Sequence, residues 1–293
     1  MLLKWIACLL IVGSSLIAEQ KNVLISGATG GIGKAAVKAF QEKGWKVWAG
    51  YRKDIPADLA SENIRWVRLD VTDEEIIQAA IEKILKEDSK IDALVNNAGY
   101  ALVGLEESAT IEEVQKQFDV NFYGAMRLLQ AVLPAMKNQQ SGHIINISST
   151  SGIRALPGMG FYAASKFALE GLSEAIAVTL SPWNIKVSIV EPGIVNNDFI
   201  NNYYYAQTKD PFQEKFLQNF VAKLNTMVSL GQSCDEIGSL IAEIAENPEP
   251  DMRYQTSKKV KELASKKLVD LTGNQMRNDQ LRFFNDVLQF VPN

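Results

Sequence analysis

The sequence predicts an α/β fold, a doubly wound parallel sheet in a single domain that carries a small helical lobe. Short apolar runs alternate with stretches of helical periodicity from Asn22 to Val190, and strand–helix–strand alternation is the mark of parallel βαβ units. A glycine-rich turn directly follows the first apolar run. No Ser/Gly-rich linker, repeat or low-complexity tract divides the 293 residues, of which 47% are hydrophobic, enough for one large core.

Taken in order, Val23-Leu24-Ile25 reads as the first strand and Lys34 to Lys43 as its helix. Val47-Trp48-Ala49 is the second strand, and Ile64 to Leu69 the third, followed by a helix from Asp73 to Lys86. Ala93-Leu94-Val95 comes next, then one long helix from about Ile111 to Lys137. A strand from His143 to Ile147, a helix from about Tyr162 to Leu180 and a strand from Val187 to Val190 complete the set. Six or seven parallel strands result, buried on both faces. Residues 194–230 form the expected lobe, rich in aromatics (Phe199, Tyr203, Tyr204, Tyr205, Phe212, Phe216, Phe220), and a tail from Gln232 packs after it. The folded domain is therefore expected to span residues 21–293.

Residues 1–20 stand apart. Lys4 supplies a positive charge, Trp5 to Ala18 is almost wholly apolar, and polar Glu19-Gln20-Lys21 follows. That is the layout of a signal or anchor segment, although as a membrane span residues 2–18 sit at the lower limit of about 17 residues. The expectation is a membrane-associated or exported protein touching the membrane through residues 2–18. The alternative is a docked helix or a misassigned start, and a cytoplasmic protein.

Composition removes several function classes. The net charge is −4, and Lys and Arg are not gathered into one stretch, so nucleic acid is not an expected partner. Cys8 and Cys234 are the two cysteines, too few for a disulfide framework or a CxxC metal site, and no metal is expected. A Ser-His-Asp hydrolase would have to use the single histidine, His143, and no GxSxG elbow supplies its serine.

The turn after the first strand reads Ser26-Gly27-Ala28-Thr29-Gly30-Gly31-Ile32-Gly33 and opens a helix. Glycines there let backbone approach a pyrophosphate at the positive end of the helix. Gly27, Gly31 and Gly33 fit G-x-x-x-G-x-G, whereas G-x-G-x-x-G fails at Ala36 and a P-loop fails at Ala28 and Ala35. Three more segments follow on the same pattern. They are Asn96-Asn97-Ala98-Gly99 after the fourth strand, Ser148-Ser149 after the fifth, and Tyr162-Ala163-Ala164-Ser165-Lys166 opening the next helix.

In the glycine motif, the Asn-Asn-Ala-Gly turn and the Tyr-x-x-x-Lys pair, the sequence resembles the short-chain dehydrogenase/reductases over nearly its whole length after Lys21. The resemblance implies a Rossmann-type fold and an NAD(P)-dependent oxidoreductase that transfers hydride between the nicotinamide cofactor and an alcohol or ketone. It implies a catalytic set of Asn121, Ser149, Tyr162 and Lys166. Cofactor contacts are implied at Gly27, Thr29, Gly31, Ile32, Gly33, Asp70, Val71, Asn97, Ala98, Gly99, Pro192, Gly193 and Val195, besides Tyr162 and Lys166. A homodimer through the helices bearing Asn121 and Tyr162 is also implied.

The chemistry of these residue types agrees with those roles. Tyr162 and Lys166 are four apart, on one helical face. A free tyrosine titrates near about 10, and an adjacent ammonium is expected to favour its phenolate. Ser149 would hold the substrate oxygen, and Asn121 a water linking Lys166 to solvent. One departure stands out. The family's Pro-Gly-x-x-x-Thr reads Pro192-Gly193-Ile194-Val195-Asn196-Asn197, with an amide where a hydroxyl is usual. After the second strand, Arg52 and Lys53 precede any carboxylate, which favours NADP over NAD because a 2′-phosphate needs cations.

Asn247 to Tyr254 and Asp270-Leu271-Thr272-Gly273 resemble the tail of the hydroxysteroid and retinol dehydrogenases. That implies a hydrophobic, steroid- or retinoid-like small-molecule substrate. The alternatives are a reductase of carrier-bound 3-oxoacyl groups and a non-catalytic dinucleotide-sensing protein.

Overall fold

The computed structural model describes residues 20–55, 64–197, 199, 203–269 and 274–289. The expected leader up to residue 19, and the Asp270-Leu271-Thr272-Gly273 motif, lie outside the described residues. Among those described, no helix is long and apolar enough to cross a membrane.

Strand β1 (Asn22–Ile25) is buried at all four positions, as a central parallel strand must be. It leads through the glycine turn into helix α1 (Gly31–Glu42), then β2 (Lys46–Tyr51) and β3 (Ile64–Arg68). Helix α2 (Glu74–Asp88) starts where the Asp73 side chain accepts from Ile76 N at 3.0 Å, with Glu74 and Glu75 in its first turn and Lys86 in its last. Strand β4 (Ala93–Asn96) follows, then the short β5 (Ala101–Val103) and helix α3 (Ile111–Phe118), which opens on a capping box between Thr110 and Glu113.

The single helix expected over Ile111–Lys137 is interrupted. Asp119–Tyr123 forms a π turn before α4 (Gly124–Gln139), and Asn121 is buried in it. Side-chain bonds from Asn121 to neighbouring elements hold this extra residue in the helix, and sequence periodicity does not record them.

Strand β6 (Gly142–Ile147), helix α5 (Gly160–Thr179) and strand β7 (Ile185–Glu191) complete the predicted core. The lobe begins with β8 (Val195–Asn196), β9 (Tyr203–Tyr205) and α6 (Pro211–Val228). The tail supplies β10 (Gln232–Ser233), α7 (Cys234–Glu246), β11 (Arg253–Gln255), α8 (Lys258–Val269) and α9 (Asn274–Gln289).

Seven parallel strands form the central sheet in the order β11-β7-β6-β4-β1-β2-β3. The seventh, β11, comes from the Asn247–Tyr254 motif and pairs Arg253 to Ile189. The chain winds outward in both directions from β1 and β4, so the crevice between their carboxyl ends is the switch point where such folds bind ligands. The two faces carry separate cores: α1 and α7 cover one around Phe40, Ile237 and Ile241, and α2 and α4 cover the other around Trp48, Ile84 and Leu128.

A third cluster builds the lobe from Phe216, Phe220 and Leu224 of α6, with Phe283, Phe284, Val287 and Leu288 of α9 packed against them. The lobe therefore draws on residues well beyond the expected 194–230 range.

Candidate active site

At the switch point the glycine turn and the Asn-Asn-Ala-Gly turn are joined. Ser26 Oγ accepts from Asn97 N and Ala98 N, each at 3.0 Å, while Asn97 Nδ2 donates to Ser26 O at 3.0 Å and Gly27 O at 2.9 Å. Gly27 has φ +63°, and a Cβ there would come within 2.9 Å of Ala98 Cα. Gly33 stands behind the turn rather than in the cleft, where a Cβ would lie 2.1 Å from Gly27 O. It allows α1 to press against the loop.

Above these turns opens a cleft of about 740 Å³. Gly27, Thr29, Gly31, Ile32, Arg52, Asp70, Val71, Asn97, Ala98, Gly99, Pro192, Gly193 and Val195 line it, as do Ser149, Tyr162 and Lys166. Two predicted residues, Gly33 and Asn121, stand behind the wall. The cleft suits a dinucleotide on physical grounds. Helix α1 opens on Gly30 as N-cap, with no side-chain cap and no acidic residue in its first turn, so its positive end, at Gly31 and Ile32, faces the cleft. The Asp70 carboxylate is held by Thr72 N at 3.0 Å and Thr72 Oγ1 at 2.7 Å. Burial acts to raise its pKa, but these bonds, with the Arg52 and Arg68 charges, bring it below the ordinary carboxylate value. Asn197, the residue at the departure from the usual threonine, lies over the glycine turn, where a Cβ on Gly31 would be 3.1 Å from its Nδ2.

Tyr162 and Lys166 lie on the buried face of α5. Burial pushes the Tyr162 hydroxyl up to about 12, and a hydrogen bond with Ser149 pulls the other way. Lys166 donates to Ile147 O at 2.8 Å, and its ammonium is 5.8 Å from the Tyr162 ring centroid. Burial lowers Lys166 to about 8, against the attraction of Glu170 one turn further on. Burial of both groups thus works against the ionised pair that the sequence spacing places on this face. Desolvation of the phenol outweighs an ammonium that is itself buried and bonded elsewhere.

Asn121 pairs with the Tyr100 backbone in both directions, donating to O at 2.9 Å and accepting from N at 3.1 Å, and it also donates to Ser165 Oγ at 3.1 Å. Asn121 Oδ1 and Lys166 Nζ both lie beside Gly99: a Cβ there would be 3.2 Å from Asn121 Oδ1 and 3.8 Å from Lys166 Nζ. Ser149 sits at the end of β6, where its Oγ accepts from Ser151 N at 3.0 Å and opens a short 3₁₀ turn.

From Tyr162 a run of rings leads into the lobe, with centroid separations of 6.4 Å to Phe199 and then 5.5 Å to Tyr203. Of the lobe's aromatics, Phe199, Tyr203 and Tyr204 line the cleft, Phe216 and Phe220 are core, and Phe212 is exposed. Sequence reading missed Arg154, Leu156 and Met159 before α5 and Phe283 on α9, all of which line the cleft. A basic residue beside Ser149 was visible in the sequence, whereas nothing local marks Phe283.

The short chain dehydrogenase family model matches residues 21–207. The 3-ketodihydrosphingosine reductase of Bacteroides thetaiotaomicron is 36% identical over 265 residues, covering 88% of this chain and 96% of that protein. Human retinol dehydrogenase 8 is 34% identical, with 88% of each chain covered. Among solved structures, a short-chain dehydrogenase from Streptomyces avermitilis superimposes with a TM-score of 0.77 at 27% identity, over 90% of this chain and 97% of that one. ElxO with NADP bound gives 0.68 at 30% identity, over 80% and 96%. With the glycine turn, the Tyr162–Lys166 pair and these matches in register on one sheet, the chain belongs to the short-chain dehydrogenase/reductase family, oxidoreductases of CH–OH groups that work with a nicotinamide dinucleotide.

Proposed function

We propose that this enzyme transfers hydride between NADP(H) and a bulky apolar ketone or alcohol of steroid- or retinoid-like size, with Tyr162 as its acid/base. One observation carries the reading: Ser149, Tyr162 and Lys166 share a single cleft with an apolar wall of Phe199, Tyr203, Leu224, Val228 and Phe283. When bound, the dinucleotide supplies or takes up the hydride. In reduction, Ser149 holds the substrate oxygen and Tyr162 gives it a proton, a task for which a phenol kept protonated by burial is ready. Lys166 then offsets the phenolate charge, and Asn121 Oδ1 holds a water through which Lys166 is reprotonated.

NADP preference is supported by Arg52 at the cleft edge, with no carboxylate in β2 to repel a phosphate. Exposed Tyr123, Phe167 and Val178 on the Asn121 and Tyr162 helices support a homodimer through those faces. Membrane contact is assigned to residues 2–18 on their apolar sequence.

A second reading, reduction of carrier-bound 3-oxoacyl groups, has one observation in its favour. Helix α8 carries Lys258, Lys259, Lys261, Lys266 and Lys267 and packs near the 3₁₀ turn after Ser149, where an acidic carrier could dock. A panel of steroid, retinoid and aromatic ketones alongside a 3-oxoacyl thioester, followed by loss of NADPH absorbance, separates the two. The proposal expects turnover of the large apolar ketones. Turnover of the thioester alone would install the second reading, and no turnover of any would refute both.

A further inference from the structure

Arg154 is a cation that the reaction above leaves unused. It lies half-buried between β6 and α5 and lines the same cleft as Ser149 and Tyr162. Its backbone N–H bonds Thr150 O at 2.9 Å, which fixes the segment to the turn that Ser149 opens. Its chain neighbours Leu156 and Met159 pack into the lobe cluster with Phe199, Tyr203 and Phe283. The guanidinium therefore belongs to the substrate side, on a different element from Arg52 at the end of β2.

The charges around it do not satisfy it. Asp279 on α9, one turn before Phe283, attracts it from a distance, but that carboxylate is already held by Arg282 at 2.5 Å and Lys266 at 3.6 Å. Among the described residues, no acceptor bonds the Arg154 guanidinium and no carboxylate pairs with it. Burial pushes its pKa down, and the Asp279 charge works against that shift. An arginine cannot discharge itself by losing a proton, so a half-buried guanidinium without a bonded acceptor among the described residues carries a desolvation cost in the free protein. A ligand that brings an anion removes that cost, and the planar fork of donors suits a carboxylate or phosphate.

We propose that Arg154 binds an anionic group on the substrate, so that the natural ketone or alcohol belongs to an apolar molecule that also bears a carboxylate or a phosphate. This rests on the cleft being the substrate site, as argued above. It narrows the substrate class: neutral steroid- or retinoid-like ketones fit the wall but leave Arg154 unpaired, and a substrate with an ammonium at that position is repelled.

The test uses oxo-hexadecanoic acids that differ in the position of the ketone, their methyl esters and the matching oxo-alkyl phosphates. Each is assayed with NADPH against the wild type, Arg154→Gln and Arg154→Lys, with thermal melts to show that the variants fold. Binding of hexadecanoate and of its methyl ester is measured in parallel by calorimetry, so that one readout does not depend on turnover. The wild type should favour at least one acid or phosphate over its neutral counterpart by roughly tenfold or more in kcat/KM. Arg154→Gln should collapse that ratio, chiefly through the KM of the anion, and Arg154→Lys should keep part of it. Preference for the acid or for the phosphate identifies which anion is read.

Equal kcat/KM for anion and ester, or a ratio that survives in Arg154→Gln, overturns the inference while leaving the oxidoreductase reading in place. If no probe is reduced but hexadecanoate binding depends on Arg154, the anion site stands and the position of the ketone in the probes is wrong. If neither turnover nor binding depends on Arg154, the inference fails.

Discussion

The dinucleotide side of the cleft is built from backbone, and the substrate side from side chains. On the first, two turns at the ends of adjacent strands bond to each other through Ser26 and Asn97, and Gly27 at φ +63° leaves no room for a Cβ. On the second, rings from β9, α6 and α9, far apart in sequence, meet beside Tyr162. Backbone geometry dictates residue type and spacing, so the first side fixes its ligand class. A side-chain wall can be re-cut one residue at a time, so the second side is where members of one family diverge.

The largest expected effect lies beneath helix α5. Arg253 of β11 bonds Glu170 of α5, Glu191 of β7 at 2.7 Å and Glu174 at 2.6 Å, and Glu170 and Glu191 are nearly inaccessible. Arg253→Met leaves two buried carboxylates facing each other and should cost about 3–5 kcal/mol of stability in denaturant unfolding at neutral pH. Burial already raises the Glu170 pKa, and the Arg253 guanidinium works against that rise. With Arg253 gone the pKa rises further, so the deficit should shrink as pH falls and the carboxyl takes up a proton. A loss that does not change with pH would locate the effect in packing alone.

The next effect sharpens the dinucleotide side. Arg52→Ala should weaken NADPH binding by about 1.5–3 kcal/mol, the range for a charge-assisted hydrogen bond, and leave NADH binding nearly unchanged. Equal losses for both would break the assignment. The smallest effect belongs to the substrate side. Phe283→Ala should raise KM for a bulky apolar ketone by roughly tenfold, the lower range for one buried ring, without altering dinucleotide affinity. A matching loss in NADPH binding would show that the two sides are not separable.

The same division decides what could be read from the sequence. Six strands of the central sheet (β1 to β4, β6 and β7), the glycine turn and the Tyr162–Lys166 spacing are local patterns of burial and of backbone need, and they were legible. The π turn at Asp119–Tyr123 was not, because Asn121 is held by Tyr100 and Ser165, partners 21 and 44 residues away. Strand β11 was seen as a family motif but not as a strand, since its three residues are only partly buried at the sheet edge. Phe283 could not be placed in the cleft, because only the docking of α9 on α6 brings it there. The burial of Tyr162 and Lys166 was not legible either, because spacing reports that Lys166 is near and says nothing of how deeply both groups lie.

The central claim, that Tyr162 exchanges the substrate proton, is tested most directly by Tyr162→Phe. That change removes one hydroxyl and keeps the ring that packs against Phe199. Turnover of an accepted ketone should fall by at least about 100-fold, the lower range for loss of a positioned acid/base, with NADPH affinity nearly unchanged. Near-normal turnover in that variant would contradict the account.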